Sequence, residues 1–385
     1  MKVGICGCYD NHNYGSMLQA YANERAVLSL GHECEFIRYE KNYTPVEMMR
    51  QVPRLFNGGR IASIRKSKAN KKLAEQYSAV QACRLERDKT FDEFCAATFK
   101  RLSEPFVGYD ALREGSKRYD AVQVGSDQLW LPMGLATNFY NLQFAAPGVR
   151  RVSYSTSFGV SSIPWYQRSR TADFLKKIDY LSVREQSGAE IVKDVAGLDA
   201  KVVVDPTLLL TAKQWAEAIP VKRVFEEPYI FCYFLGSNPL CREEARALSE
   251  KTGLPIVALR HLDEIIPSDE EFGDYSPYDV DPAGFVNLIR GAEYVLTDSF
   301  HGSVFSTIHH KDFATFYRFR LGSKQSRNSR IDNLFAHLGL EGRLVTDEGG
   351  GVCAALENRP DFGKVDERLA AWRGDSWDFL RKALD

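Results

Sequence analysis

The chain has 385 residues, 44% hydrophobic and 26% charged, a balance that fits a folded protein with more than one core. Its net charge of −1 supplies no global field that would select nucleic acid or an anionic membrane as partner. The opening residues turn polar too soon for a signal peptide, and no run approaches the roughly 20 apolar residues of a membrane span, so a cytoplasmic location is expected.

Taken in chain order, the first half alternates short apolar runs with helical spacing. Residues 3–6 read as a strand, 15–30 as a helix closed by Gly31, and 33–38 as a second strand. Further strands are expected at 119–124, 151–155, 180–183 and 202–204, with helices around 84–99, 166–177 and 186–195. Charge and two prolines at 219–228 mark a boundary. A second series follows: strands at 229–235, 255–259, 293–296 and 313–316, and helices at 240–252, 282–290, 303–309 and 365–384. Strands alternating with helices predict parallel sheets covered on both faces. The expected fold is therefore α/β, with Rossmann-like domains at 1–218 and 219–362 and a final helix, 363–385, packing back across both.

One stretch stands apart. Between Lys41 and Lys72 there are nine Lys or Arg residues against one acid, Glu47, inside an insertion spanning about 41–80. It reads either as a solvated insertion or as a lid or docking surface for an anionic substrate or lipid headgroup. Aromatic residues are too sparse there for nucleic-acid stacking. The eight cysteines lack zinc or disulfide spacing, so reduced structural thiols and no metal site are expected.

The chemistry-bearing residues gather where strands end. Thr297-Asp298-Ser299-Phe300-His301-Gly302 follows the apolar run 294–296, and in open α/β sheets ligands bind beyond the carboxyl ends of strands. His301 sits in that turn as a candidate reacting group. Asn13-Tyr14-Gly15-Ser16 joins the first strand to its helix, as a structural turn or as an anion-binding loop. Asp127, in Gly125-Ser126-Asp127-Gln128, is a helix cap, a ligand for a sugar hydroxyl or a base. Arg184 either pairs with Glu185 or another buried acid, or forks onto a carboxylate or phosphate. Asp205, ahead of Pro206, reads as a cap. Lys324, Arg327 and Arg330 precede a helix as an anion-binding loop or a solvated connector. His309 and His310 read as structural, their charge suited to a helix end.

In order along the chain, Asn13-Tyr14-Gly15-Ser16, Gly125-Ser126-Asp127-Gln128-Leu129-Trp130, Ser153-Tyr154-Ser155, Ser182-Val183-Arg184-Glu185, Asp205-Pro206-Thr207 and Thr297-Asp298-Ser299-Phe300-His301-Gly302 resemble the polysaccharide pyruvyl transferase family. The resemblance runs from about residue 3 to about 340. It implies two Rossmann-like domains in a GT-B-like arrangement, phosphoenolpyruvate as donor substrate with no further cofactor, and a saccharide of a cell-surface polysaccharide as acceptor. It also implies that Arg184 binds the donor and that His301 is the catalytic-site histidine, with Ser299 and Gly302 beside it. Many members carry arginine at the position of Ser299; Lys324, Arg327 or Arg330 would have to supply that cation here. The basic stretch leaves open a lipid-linked acceptor and peripheral contact with the inner membrane face. Two other readings are a nucleotide-sugar glycosyltransferase of GT-B architecture and a two-lobed sugar- or anion-binding protein without catalysis.

Overall fold

The computed structural model of the chain describes every residue except 43–48, 50–63, 65–66, 69, 71–72, 74–75, 133–137, 320–327 and 347–350. Most of the basic stretch, and with it the proposed membrane contact, lies outside the described residues.

Strands β1 (Lys2–Cys6) and β2 (Glu33–Phe36) open the first sheet, and β3 (Tyr39–Glu40) pairs apart from it with β4 (Phe106–Val107). The first sheet continues with β5 (Ala121–Val124), β6 (Arg150–Thr156), β7 (Tyr180–Val183) and β8 (Lys201–Val202), in the order β2-β1-β5-β6-β7-β8. The second lobe is built on β9 (Ile230–Tyr233), β10 (Ile256–Ala258), β11 (Tyr294–Thr297), β12 (Asp312–Phe316) and β13 (Leu344–Val345), in the order β10-β9-β11-β12-β13. Neighbours in both sheets are parallel. The central strands β5 and β9 are buried along their whole length, the pattern demanded when helices cover both faces.

The strand order reverses once in each sheet, between β1 and β5 and between β9 and β11. Chains diverge there to opposite faces, which opens a crevice at the carboxyl edge. The two crevices face each other. Tyr14, at the start of the Tyr14–Ser29 helix, stacks on Phe285 of the second lobe at 4.9 Å and 12° and donates its hydroxyl to the Val280 carbonyl at 3.1 Å. Arg87 on the Ser78–Thr98 helix reaches Asp263 with two nitrogens, at 3.3 and 2.8 Å. One apolar core, including Val3, Met17, Trp215, Phe285 and Phe305, runs through both lobes.

The Phe362–Leu384 helix crosses the back of both lobes, as the sequence suggests. Ser376 accepts from the Val204 amide at 3.0 Å, Arg373 donates to the Leu208 carbonyl at 2.6 Å, and Trp372 stacks on His337 with ring centroids 4.1 Å apart. Elsewhere the differences are at boundaries. The helix expected at 303–309 begins at Phe300, and the strand expected at 202–204 is only Lys201–Val202. One expectation fails at the end of that helix. His309 is not a charged partner of the helix end: burial, then Arg290 and Lys311, push its pKa down to about 3, and it accepts a hydrogen bond from Arg290 Nε at 3.2 Å.

Candidate active site

The amino-terminal half of the site is assembled from the ends of β1, β5, β7 and β8. Asn13 caps the first helix by accepting from the Ser16 amide at 3.0 Å, and Ser16 Oγ donates to Asp127 Oδ2 at 2.6 Å. Asp127 adopts φ +80°, a left-handed conformation costly for a residue with a side chain. It is held there by backbone pairing with Thr156 and by the Ser157 amide, 2.9 Å from its carbonyl.

Arg184 follows β7 and is 2% exposed. Its Nη1 donates to Asp205 Oδ2 at 2.9 Å, while Asp127 Oδ1 and Glu185 Oε2 stand 3.9 and 3.8 Å from its other nitrogens. At those lengths charge is balanced but hydrogen bonds are not made. Arg184 Nε and Nη2 and Glu185 Oε2 are buried without a hydrogen-bond partner among the described residues. Asp205 is the best-satisfied group: Oδ1 accepts from the Thr207 amide and hydroxyl at 3.0 and 2.7 Å, and Oδ2 from Ser126 at 2.8 Å as well as from Arg184. Burial alone would raise its pKa, but His301, Arg184 and Thr207 together hold it well below the usual carboxylate range. Asp127 is likewise held low against its burial, by Arg184, Ser16, His301 and Arg330.

The second lobe supplies the imidazole. Ser299 caps the helix Phe300–Ile308, its Oγ accepting from the Gly302 amide at 3.3 Å. That cap places Phe300, His301 and Gly302 on the first helical turn, where the sequence suggested a loop. A Cβ at Gly302 would lie 2.5 Å from Thr297 Oγ1, so only glycine lets helix and strand approach this closely. His301 Nε2 lies 3.8 Å from Asp205 Oδ2 and has no hydrogen-bond partner among the described residues. Its ring rests on the first turn of the facing lobe: a Cβ at Gly15 would fall 1.9 Å from His301 Nδ1. Phe300 carries two guanidinium groups, Arg184 at 4.7 Å and Arg330 at 5.7 Å from the ring centroid. Arg330 is 8% exposed, with Nε unpartnered among the described residues. Burial and the like charge of Arg184, only partly offset by Asp127 and Glu185, push its pKa down to about 9.

His301, Arg184, Asp127, Ser16, Gly15, Gly302 and Arg330 are thus brought together. Asn13 and Ser299 are next to the site as caps. Tyr14 is not: it is 4% exposed, with its hydroxyl committed to the second lobe. Lys324 and Arg327 lie outside the described residues. Asp298 is drawn away, accepting from the Leu235 and Gly236 amides at 2.7 and 2.8 Å, so it braces β9 against β11. Sequence reasoning passed over Asp205 as a carboxylate shared by both lobes, and over Phe300. Their signal was positional, since each follows a strand in the series that yields Asp127 and Arg184. Among the described residues no group of three His, Cys, Asp or Glu side chains is placed to hold a metal ion.

A sequence model of the polysaccharide pyruvyl transferase family matches residues 13–318, which takes in Asn13, Asp127, Arg184, Asp205 and His301. The chain belongs to the polysaccharide pyruvyl transferase family. None of the curated proteins compared with this pyruvyl transferase family member matches it. Among solved structures it is similar to the UDP-GlcNAc 2-epimerase of Methanocaldococcus jannaschii, with 12% identity, TM-score 0.51, and 94% of this chain and 93% of that one covered. The UDP-GlcNAc 2-epimerase of Neisseria meningitidis bound to UDP-GlcNAc is also similar, with 12% identity, TM-score 0.49, and 100% and 99% covered. At such identity the likeness is one of fold: two Rossmann-like lobes in the GT-B arrangement. Among the described residues no helix of this family member is long and apolar enough to cross a membrane.

Proposed function

We propose that the protein moves a pyruvyl group from phosphoenolpyruvate to a saccharide of a cell-surface polysaccharide or its precursor, closing a cyclic ketal on two hydroxyls. The observation that carries this reading is the meeting of His301 and Arg184, from different lobes, on the single carboxylate of Asp205. Arg184 and Arg330 are two buried cations with unplaced donors, the chemistry that a small molecule bearing both carboxylate and phosphate requires.

In this mechanism a proton from the imidazolium form of His301 adds to the C3 methylene, making a methyl group and an oxocarbenium-like C2. The ionised Asp205 stabilises the imidazolium, as an orienting carboxylate does in other acid–base pairs. A sugar hydroxyl oxygen bonds to C2 and gives up its proton to Asp127, with Ser16 as its hydrogen-bond partner. The C2–O bond to phosphate then breaks, and a second hydroxyl closes the ketal. Of the two hydroxyl protons, one restores the acid and the other leaves with phosphate. Arg184 and Arg330 neutralise the departing charge.

The test is to incubate protein, phosphoenolpyruvate and candidate saccharides, following phosphate release and the new methyl resonance by NMR. One phosphate per ketal is expected, with His301→Ala lowering turnover about 10²–10⁴-fold at unchanged circular dichroism. A fully active His301→Ala protein, or release of a nucleoside diphosphate from a nucleotide sugar without consumption of phosphoenolpyruvate, defeats the proposal.

A further inference from the structure

A second cationic site lies at the opposite end of the carboxyl-terminal sheet. The residues Pro228, Glu293 and Lys311, just before β9, β11 and β12, line a cavity of about 360 Å³ together with Lys222, Arg223 and Arg290. His301 follows β11, so the length of that strand, roughly 13 Å at about 3.3 Å per residue, separates the cavity from the catalytic turn.

The cavity holds four cations against one carboxylate. None of the four makes an ion pair with a carboxylate of the described residues, while Asp312, the acid next to Lys311, is taken by Arg343 and Arg359 at 4.0 and 3.6 Å. Arg290 is fixed rather than mobile: its Nη1 donates to the Ile219 carbonyl at 2.7 Å and to Asn287 at 3.1 Å, and its Nε to His309. Its Nη2 is buried with no partner among the described residues. Lys311 is tied back to the Arg290 carbonyl at 3.1 Å. Burial lowers the pKa of Arg290 with no anion opposing it, and lowers that of Lys311 by more than Glu293 and Asp312 raise it. The neutral His309 makes Arg290 a donor on that side too, so the guanidinium gains no negative neighbour from it.

We infer that this cavity is a binding site for a small phosphate-bearing anion, distinct from the donor site at His301. Arg290 Nη2 would be the buried anchor, with Lys222 and Lys311 closing around the phosphate oxygens from the rim. Arg223 donates Nε and Nη2 to the Phe225 and Glu226 carbonyls, so it would offer only Nη1 and its charge. The site does not depend on the pyruvyl-transfer reading, because its residues and those of the cleft do not overlap.

The experiment is calorimetric titration of the full chain with inorganic pyrophosphate. Arg184→Gln disables the cleft, and Lys222→Gln/Lys311→Gln disables the cavity. The Arg184→Gln protein should still bind pyrophosphate, and adding the two lysine changes should weaken that binding by about tenfold or more. Lys222→Glu, a single change at an exposed position with no side-chain bond in the fold, should weaken it in the same direction. If Arg184→Gln alone abolishes all binding, or if the lysine variants bind as the Arg184→Gln parent does, the cavity is not a phosphate site. Pyruvyl transfer is assayed separately, so loss of one reading leaves the other standing.

Discussion

Two arginines lie equally deep in this molecule and are treated in opposite ways. Arg242, in the second lobe, is 3% exposed; its Nε and Nη2 meet Asp269 Oδ1 at 2.6 and 2.5 Å, and Nη1 donates to the Gly236 and Asn238 carbonyls, each at 3.2 Å. Arg184, in the cleft, is 2% exposed and has three carboxylates around it, yet hydrogen-bonds only one of them and leaves Nε and Nη2 unplaced. An unmade hydrogen bond in the interior costs about 1–3 kcal/mol, which a bound partner could recover. Arg242 is a strut. In the proposed function, Arg184 is a receptor.

The sharpest way to break this comparison is to remove each guanidinium in turn. Arg242→Met leaves Asp269 buried without its partner and should lose about 3–5 kcal/mol in urea unfolding, with the KM for phosphoenolpyruvate unchanged. Arg184→Met should raise that KM about 10–100-fold, as expected for one or two charge-assisted hydrogen bonds. If both substitutions affect stability alone, the distinction between strut and receptor is lost.

Next in size is Gly15→Ala. The added methyl falls 1.9 Å from His301 Nδ1 and must push the imidazole off the helix end. A displacement of about 1 Å at a reacting group can cost on the order of 10²-fold in turnover. The melting temperature should move little, since alanine is the better helix former. Wild-type turnover in this variant would mean that the ring is not seated on Gly15 during reaction.

The smallest effect is on pH dependence. Asp127 and Asp205 have folded pKa values below their unfolded values of about 3.9, so folding is favoured by their ionised forms. Their contribution is present above about pH 4 and is lost as pH falls toward the folded values. Wild type should therefore lose, on the order of 1 kcal/mol, more stability than Asp205→Asn between pH 7 and pH 3 in denaturant titrations. Parallel curves for the two proteins would show that Asp205 gains no charge stabilisation from Arg184 and His301.

The elements were legible because their signals are local: apolar runs such as Tyr294-Val295-Leu296, and helical spacing such as Leu18, Tyr21, Ala22. The site was legible only in part. Arg184 and His301 stand where strands end, and that position is written in the chain. Asp205 shows why the rest was hidden. Its Oδ1 makes the cap that Asp-Pro-Thr foretells, but its Oδ2 meets Arg184, 21 residues back, and His301 in the other lobe. Tyr14 was misplaced for the same reason: nothing near it in sequence announces Phe285 as its stacking partner. The early start of the Phe300–Ile308 helix came from a cap, Ser299, that serves as well at the end of a turn as at the start of a helix.

The helix that straps the two lobes also bears on how the chain acquires its shape. Val202, Val204 and Leu208 find their partners on it 165–172 residues further along. The first lobe therefore cannot finish one flank during its own synthesis, and must wait for a segment made after the second lobe. Contacts this distant in sequence slow folding, because a long loop must close before they repay its entropy. In this protein the last helix is the keystone of the first domain.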